Sequence, residues 1–424
     1  MDQIEIKPLL RSLAATVQVP GSKSITNRSL LMAALAGGRS VIESALVSDD
    51  TRYMIAALQH LGYEVSLEEQ ASRIVMEGHG SVIPAKSADL FVGGSGTAMR
   101  FLAGFLTLGK GRYRLDGNAR MRQRPIGDLI DALRKLGLAI SCEANNGCPP
   151  VVIQGDETFS GGETVVDASL SSQFVSALLI PAPAWKEGLR LKFTGFAGIP
   201  FMTMTIRLME RAGIEGIAVE DNFISVPGGQ SYQSGCFAVE ADASSASYFA
   251  AAALLCGGKI ELRNLSRDSV QGDVEFLSLL KRMGARVNWR RHSVVVEGGG
   301  EFKGLDIDMH KIPDMVPTLA VLAPFANSPT RIRNVKFIRH HESDRIHALA
   351  VELARLRVKV VEHEDGLEIE PTRLAPAAIE TYDDHRIAMS FAIMGLKVPG
   401  IRIKDPGCVS KTYPHFFVDL AALG

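Results

Sequence analysis

Several short stretches place cations at points where a helix is expected to begin. In Gly21-Ser-Lys-Ser-Ile-Thr-Asn-Arg-Ser-Leu-Leu-Met, a helix starting near Ser22 sets Ser24 and Arg28 four residues apart on one face. Lys23 then falls in the first turn, where the positive end of the helix dipole disfavours a cation. Either this lysine is solvated above a capped helix, or an anion neutralises both it and the dipole. Arg120, Arg122 and Arg124 alternate ahead of Pro125. On an extended loop they would all aim one way, as an exposed basic loop or as a grip for an anion. Farther on, His340-His-Glu-Ser-Asp-Arg345 opens another helix with Glu342 and Arg345 three apart. The plain alternative there is an acidic N-cap with a surface ion pair, worth under about 1 kcal/mol. Asp383-Asp-His-Arg386 reads equally as a cap, and Lys411 follows a Pro-Gly turn.

The elements that must position these residues recur along the chain. Six polar or glycine-rich clusters each lead into an apolar helical stretch. They begin at Gly21-Ser-Lys-Ser, Gly93-Gly-Ser-Gly-Thr, Ser169-Leu-Ser-Ser-Gln, Asp242-Ala-Ser-Ser-Ala, Ile312-Pro-Asp-Met and Tyr382-Asp-Asp-His-Arg. Their spacing is roughly 70 to 76 residues, longer than the repeats of ordinary solenoids. Most units hold a second helical stretch ending near a Leu-Gly or Ala-Gly pair, such as Ile126 to Gly137, and short β-rich runs such as Lys259-Ile-Glu-Leu. Six units of strands plus two helices make two domains of three. A small polar residue before a buried helix can simply cap it, contributing about 1 kcal/mol. Alternatively, several helix N-termini converge on one cavity and hold anions there.

Composition bounds the partners. The 424 residues suggest two or three domains. With 46 Lys+Arg against 47 Asp+Glu the formal net charge is -1, which gives no reason to expect nucleic acid or an anionic membrane. An anionic ligand must therefore meet a local basic cluster. The first residues lack a basic n-region and an apolar h-region, and runs such as Phe249 to Cys256 are far short of the roughly 18 residues that span a bilayer. The five cysteines show no CxxC spacing and read as reduced thiols of a cytoplasmic protein.

Eight segments, in order and at matching spacing, resemble the 5-enolpyruvylshikimate-3-phosphate synthase family of enolpyruvyl transferases. They are Pro20-Gly-Ser-Lys-Ser-Ile-Thr-Asn-Arg28, Gly96-Thr-Ala-Met-Arg100, Arg124-Pro-Ile-Gly127, Ser171-Ser-Gln-Phe174, Ile312-Pro-Asp314, Glu342-Ser-Asp-Arg345, Asp384-His-Arg386 and Lys411-Thr. The resemblance implies transfer of the enolpyruvyl group of phosphoenolpyruvate to the 5-hydroxyl of shikimate 3-phosphate, in the shikimate pathway to chorismate and the aromatic amino acids. It assigns phosphoenolpyruvate to Lys23, Arg124, Gln173, Arg345, Arg386 and Lys411, with the Gly96 backbone close by. Shikimate 3-phosphate falls to Lys23, Ser24, Arg28, Ser171, Ser172, Gln173 and Asp314, with His341 where a ring-contacting lysine is usual. The two ligands together carry roughly five to six negative charges, and arginine grips such groups through paired hydrogen bonds. Asp314 is implied as the base on the hydroxyl, Glu342 as acid and base at the methylene, and Lys23 as stabiliser of the departing phosphate. No metal and no cofactor is implied, and glyphosate is expected in the phosphoenolpyruvate site.

The implied fold is a two-domain inside-out α/β barrel, with three strand/helix repeats per domain, helices inside and sheets outside. Residues 1–20 with 241–424 form one domain and 21–240 the other, with the active site in the cleft between them. A monomer binding small molecules only is expected. Gly94, Gly198, Phe201, Phe337 and His341 depart from the common family pattern, all on the shikimate 3-phosphate side or its flank. His341 either supplies a charge or stays neutral and gives one hydrogen bond. The sister enzyme acting on UDP-N-acetylglucosamine is the nearest alternative. It commonly uses a loop cysteine as acid, and Leu115 to Arg124 has none. A non-catalytic phosphosugar- or RNA-end-binding protein is more distant, since it leaves Asp314 and Glu342 without a purpose.

Overall fold

The structure, a computed structural model, describes residues 2–195 and 199–424. In chain order its helices are α1 (Lys23–Leu35), α2 (Asp49–His60), α3 (Gly96–Phe105), α4 (Gly127–Lys135), α5 (Gln173–Leu179) and α6 (Ile199–Arg211). They continue with α7 (Ala243–Cys256), α8 (Glu275–Met283), α9 (Val316–Leu322), α10 (Arg345–Arg355), α11 (His385–Gly395) and α12 (Phe416–Ala421). Small and aliphatic residues all round a helix allow it to be enclosed on every side. Helix α9 has that composition, α1, α3, α5, α7 and α11 add a few polar or aromatic residues to it, and all six are buried along nearly their whole length. Each follows one of the six polar clusters. Helices α4 and α8 instead carry one apolar stripe, with Leu129, Ile130, Ala132 and Leu133 buried on α4.

The chain divides into two compact units, residues 21–239 and residues 1–20 with 240–424. In the first, α1, α3 and α5 pack together; in the second, α7, α9 and α11 do so. Close approach requires missing side chains. A Cβ on Gly104 of α3 would lie 1.9 Å from the carbonyl oxygen of Ala177 on α5. Each buried leucine, such as Leu30 or Leu31, contributes about 1.5–3 kcal/mol.

The sheets repeat one plan. Ser87–Phe91 pairs parallel with Arg112–Asp116, which pairs antiparallel with Val151–Gln154, itself antiparallel to Ala139–Cys142. Gly161–Asp167 with Gly188–Thr194, and Asp306–Asp308 with Thr330–Arg333, open two further sheets in the same way. Their burial alternates: Leu189, Leu191 and Phe193 point inward while Arg190, Lys192 and Thr194 are exposed. Cys236–Ala238 returns to pair with Gly37–Glu43, closing the 21–239 unit on its first sheet. In the other unit the N-terminal strands complete two sheets. Leu13–Val17 lies parallel to Gly258–Arg263, and Gln3–Glu5 lies antiparallel to Arg402–Lys404. Among the described residues each unit therefore has helices inside and one-face-exposed sheets outside, three sheets per unit.

Candidate active site

In the 21–239 unit Arg28 of α1 meets residues of α3, α5 and α6. Its Nε donates to Thr205 Oγ1 (2.7 Å), its Nη1 to the Ser24 carbonyl (2.9 Å), and its Nη2 to Ser176 Oγ (3.1 Å) and the Phe201 carbonyl (3.2 Å). The guanidinium lies 4.9 Å from the centre of the Phe101 ring. All four acceptors are neutral. Burial without a carboxylate partner pushes Arg28 down to about 9. Lys23, the first residue of α1, places Nζ 3.9 Å from the buried Asp50 carboxylate.

The start of α3 carries a second cationic group. Ser95 caps the helix by accepting from the Ala98 amide. Gly96 follows, and a Cβ there would lie 2.6 Å from both Arg100 Nη1 and Arg124 Nη2, so glycine alone leaves room for both guanidinium groups. Arg124 donates to the Gly94 carbonyl (3.3 Å). Arg100 donates to Gln173 Oε1 (2.9 Å) and the Pro125 carbonyl (3.2 Å), while Gln173 Nε2 reaches Thr97 Oγ1 (3.3 Å). Ser171 Oγ accepts from the Gln173 amide, and Ser172 precedes α5 as its N-cap residue. Lys23, Ser24, Arg28, Gly96, Arg124, Ser171, Ser172 and Gln173 thus all belong to this unit and to the starts of its buried helices, or to the loop that meets them.

The 240–424 unit gathers the rest around one guanidinium. Arg345, 1% exposed, donates through Nη1 to Asp314 Oδ1 (2.9 Å) and through Nη2 to Glu342 Oε2 (2.9 Å). Its Nε and Nη2 reach the two oxygens of Asp384 (2.8 and 3.3 Å). Arg386 Nη2 holds the other oxygen of Asp314 at 2.7 Å, and Lys411 Nζ holds the other oxygen of Glu342 at 3.1 Å. Three cations therefore balance three carboxylates. Burial alone lowers the Arg345 and Arg386 guanidinium groups, but the facing carboxylates reverse this and hold both above their ordinary value. For Asp384 burial acts upward, yet the charge of Arg345 wins and its carboxyl sits below the usual range.

His341 places Nδ1 3.1 Å from Arg345 Nη1. An arginine can only donate, so in this contact the histidine nitrogen is the acceptor. The His341 ring meets Phe337 edge-on, with centroids 6.1 Å apart. Two departures from the family pattern are therefore in contact with each other.

Other sequence expectations change in position. Arg120, Arg122 and Arg124 are not aimed one way, because Met121–Gln123 winds into a 3-10 turn, in which alternate residues do not share a side. Arg122 turns onto Asp116 (2.7 and 2.9 Å), away from Arg124. Helix α10 starts at Arg345 with Asp344 as its cap, so Glu342 lies ahead of the helix, and its ion pair with Arg345 is buried, not on the surface. Gly198 lies outside the described residues. Sequence reasoning missed the organising roles of Asp384, Arg100 and Asp50, although Asp384 and Arg100 stand inside segments it singled out. Among the described residues no cluster of side chains could hold a metal ion, and no helix is long and apolar enough to cross a membrane.

Residues 10–420 match the family model described as EPSP synthase (3-phosphoshikimate 1-carboxyvinyltransferase). The 3-phosphoshikimate 1-carboxyvinyltransferase of Nostoc punctiforme is 47% identical over 418 residues, covering 98% of each chain. That of Pseudoalteromonas translucida is 44% identical over the full length of both. The solved EPSP synthase of Acinetobacter baumannii superposes with a TM-score of 0.84 at 28% identity, covering all of this chain and 98% of that one. A full-length match in sequence and in fold, over the helix starts that carry these charges, makes the chain a member of the EPSP synthase (3-phosphoshikimate 1-carboxyvinyltransferase) family.

Proposed function

We propose that the protein transfers the enolpyruvyl group of phosphoenolpyruvate to the 5-hydroxyl of shikimate 3-phosphate, with loss of phosphate through a tetrahedral intermediate. One observation carries the mechanism: Asp314 and Glu342 are held on the two terminal nitrogens of a single buried guanidinium, that of Arg345. The reaction needs one base on the hydroxyl and one acid at the methylene, and two carboxylates at fixed positions supply both.

Three of the five cations assigned to phosphoenolpyruvate, Arg345, Arg386 and Lys411, hold those carboxylates. Incoming phosphate and carboxylate groups compete with Asp314 for Arg386 and with Glu342 for Lys411. Each catalytic carboxylate then loses a neighbouring positive charge, and its proton affinity rises. Asp314 takes the hydroxyl proton as the oxygen attacks C2, and Glu342 delivers a proton to the methylene carbon. Collapse of the intermediate breaks the C2–O bond to phosphate and returns a methyl proton to Glu342, while Lys23 and Arg124 stabilise the departing phosphate, which carries away the proton that Asp314 took from the hydroxyl. Ser24, Arg28, Ser171, Ser172, Gln173 and His341 hold shikimate 3-phosphate, and Gly96 leaves room beside Arg124 for phosphoenolpyruvate.

Phosphate release tests this reading. Turnover is expected with phosphoenolpyruvate plus shikimate 3-phosphate, and none with either alone. Turnover with UDP-N-acetylglucosamine in place of shikimate 3-phosphate would reassign the acceptor. Action as a cytoplasmic monomer and inhibition by glyphosate complete the proposal; sedimentation and inhibition kinetics check the latter points.

A further inference from the structure

Asp273 is a buried carboxyl that the mechanism above does not use. It stands in the 3-10 turn Gly272–Val274, ahead of α8, and is 5% exposed. Its Oδ2 accepts from Ser244 Oγ, at the start of α7. Ser244 Oγ in turn accepts from Arg386 Nη2 at 3.4 Å, the nitrogen that also grips Asp314. A polar chain therefore runs from Asp314 through Arg386 and Ser244 and ends at Asp273. Its other oxygen, Oδ1, is buried with no hydrogen-bond partner among the described residues.

An ionised carboxylate with one bare oxygen in such a place carries a large desolvation cost, and protonation exchanges it for the smaller cost of a buried neutral acid. Charge bookkeeping agrees, since Arg345, Arg386 and Lys411 are already matched by Asp314, Glu342 and Asp384. The charged and titratable groups around Asp273 are Asp314 ahead of α9, Arg386 on α11 and Asp242 at the cap of α7, with Tyr248 of α7 also facing Arg386. Burial, then the charge of Asp314, push the Asp273 carboxyl up to about 7; the Ser244 hydroxyl and Arg386 oppose them.

We propose that Asp273 is a positioning residue of this site: a buried, protonated carboxylic acid that, through Ser244, leaves Arg386 committed to Asp314 and to incoming anions. Loss of its proton to solvent places a fourth carboxylate charge against Arg386 and weakens that hold. The inference rests on the enolpyruvyl-transfer reading for its kinetic consequence, and on the fold alone for the protonation itself.

Two measurements test it. The first is the pH profile of kcat/KM, from pH 6.5 to 8.5, for the parent and for Asp273→Asn, which keeps the shape of the neutral acid at every pH. The ratio of parent to variant is expected to fall about tenfold over that range. Superimposable profiles overturn the proposal. Ser244→Ala removes a hydrogen bond that favours the ionised form, so the alkaline limb should move to higher pH; a limb moving lower contradicts it. The second is infrared spectroscopy of the substrate-free protein in D2O. A protonated-carboxyl band is expected at pH 6, bleaching as pH rises and missing from Asp273→Asn. A parent without a band at pH 6 sinks the idea, even if the asparagine variant fails to fold. This arm decides Asp273 without turnover, whereas a parent that releases no phosphate from the two substrates refutes the functional reading instead.

Discussion

Replacing Gly96 by alanine probes the geometry of the phosphoenolpyruvate side with the smallest possible change. The added Cβ would stand 2.6 Å from Arg100 Nη1 and Arg124 Nη2, and 2.8 Å from Arg124 Cζ. Ordinary contact begins at 3.4 Å, so both guanidinium groups must retreat by about 0.8 Å, the difference between 3.4 and 2.6. Arg100 Nη1 now sits 2.9 Å from Gln173 Oε1, and a retreat of that size along the bond breaks it. A hydrogen bond to a charged group contributes about 1.5–3 kcal/mol, which corresponds to a factor of roughly 10 to 150. Steady-state kinetics should show KM for phosphoenolpyruvate raised by about that factor. An unchanged KM for phosphoenolpyruvate would mean that Arg124 and Gln173 do not bind it.

Glu342→Gln keeps the shape and removes the proton carrier, so turnover should fall by about 10²–10⁴ while calorimetry still detects both substrates; turnover within a few-fold of the parent assigns the methylene proton to another residue. Asp384 has its folded pKa depressed, so the stability it contributes is present above its unfolded pKa and lost as pH falls through the folded one. Asp384→Asn should cost about 3–5 kcal/mol in chemical denaturation at pH 7, and the gap to the parent should narrow on acidification; an equal gap at both pH values contradicts the pairing. His341→Gln should leave the pH dependence of shikimate 3-phosphate affinity unchanged from pH 6 to 8.5, because Nδ1 already accepts from Arg345. A difference between the two titrations would show that binding protonates the histidine. Glyphosate should compete with phosphoenolpyruvate, and competition against shikimate 3-phosphate alone would contradict the assignment of Arg124, Arg345, Arg386 and Lys411.

What could be read from the chain and what could not divide along a physical line. Helix starts are local: Ser95, Asp242 and Asp384 announce themselves as caps, and each does accept from a backbone amide of the following turn. The buried character of the helices that follow is local too, because α7 is apolar on every side. The turn at Met121–Gln123 was not legible, since alternating arginines before a proline suit an extended strand as well as a 3-10 turn. The grouping of Asp314 and Asp384 on Arg345, and of Arg386 on Asp314, depends on contacts 31 to 72 residues apart in sequence, which no local pattern encodes. Only the resemblance to a family brought the catalytic pair together. Asp273 escaped notice for a related reason: Gln271-Gly-Asp273 looks like an ordinary turn until folding encloses its carboxyl.

The central claim is that carbon-bound protons are exchanged at the methylene by an addition that precedes elimination. Running the reaction in D2O and examining the vinyl carbon of the product by NMR tests it most directly. Addition of a deuteron from Glu342 makes a methyl group that rotates before a proton is removed. The parent should therefore place deuterium in the product's vinyl methylene, and in phosphoenolpyruvate recovered at partial turnover, with both dependent on shikimate 3-phosphate. Glu342→Gln should lose this exchange together with turnover. Product formed by the parent with no deuterium at the vinyl carbon would contradict the account.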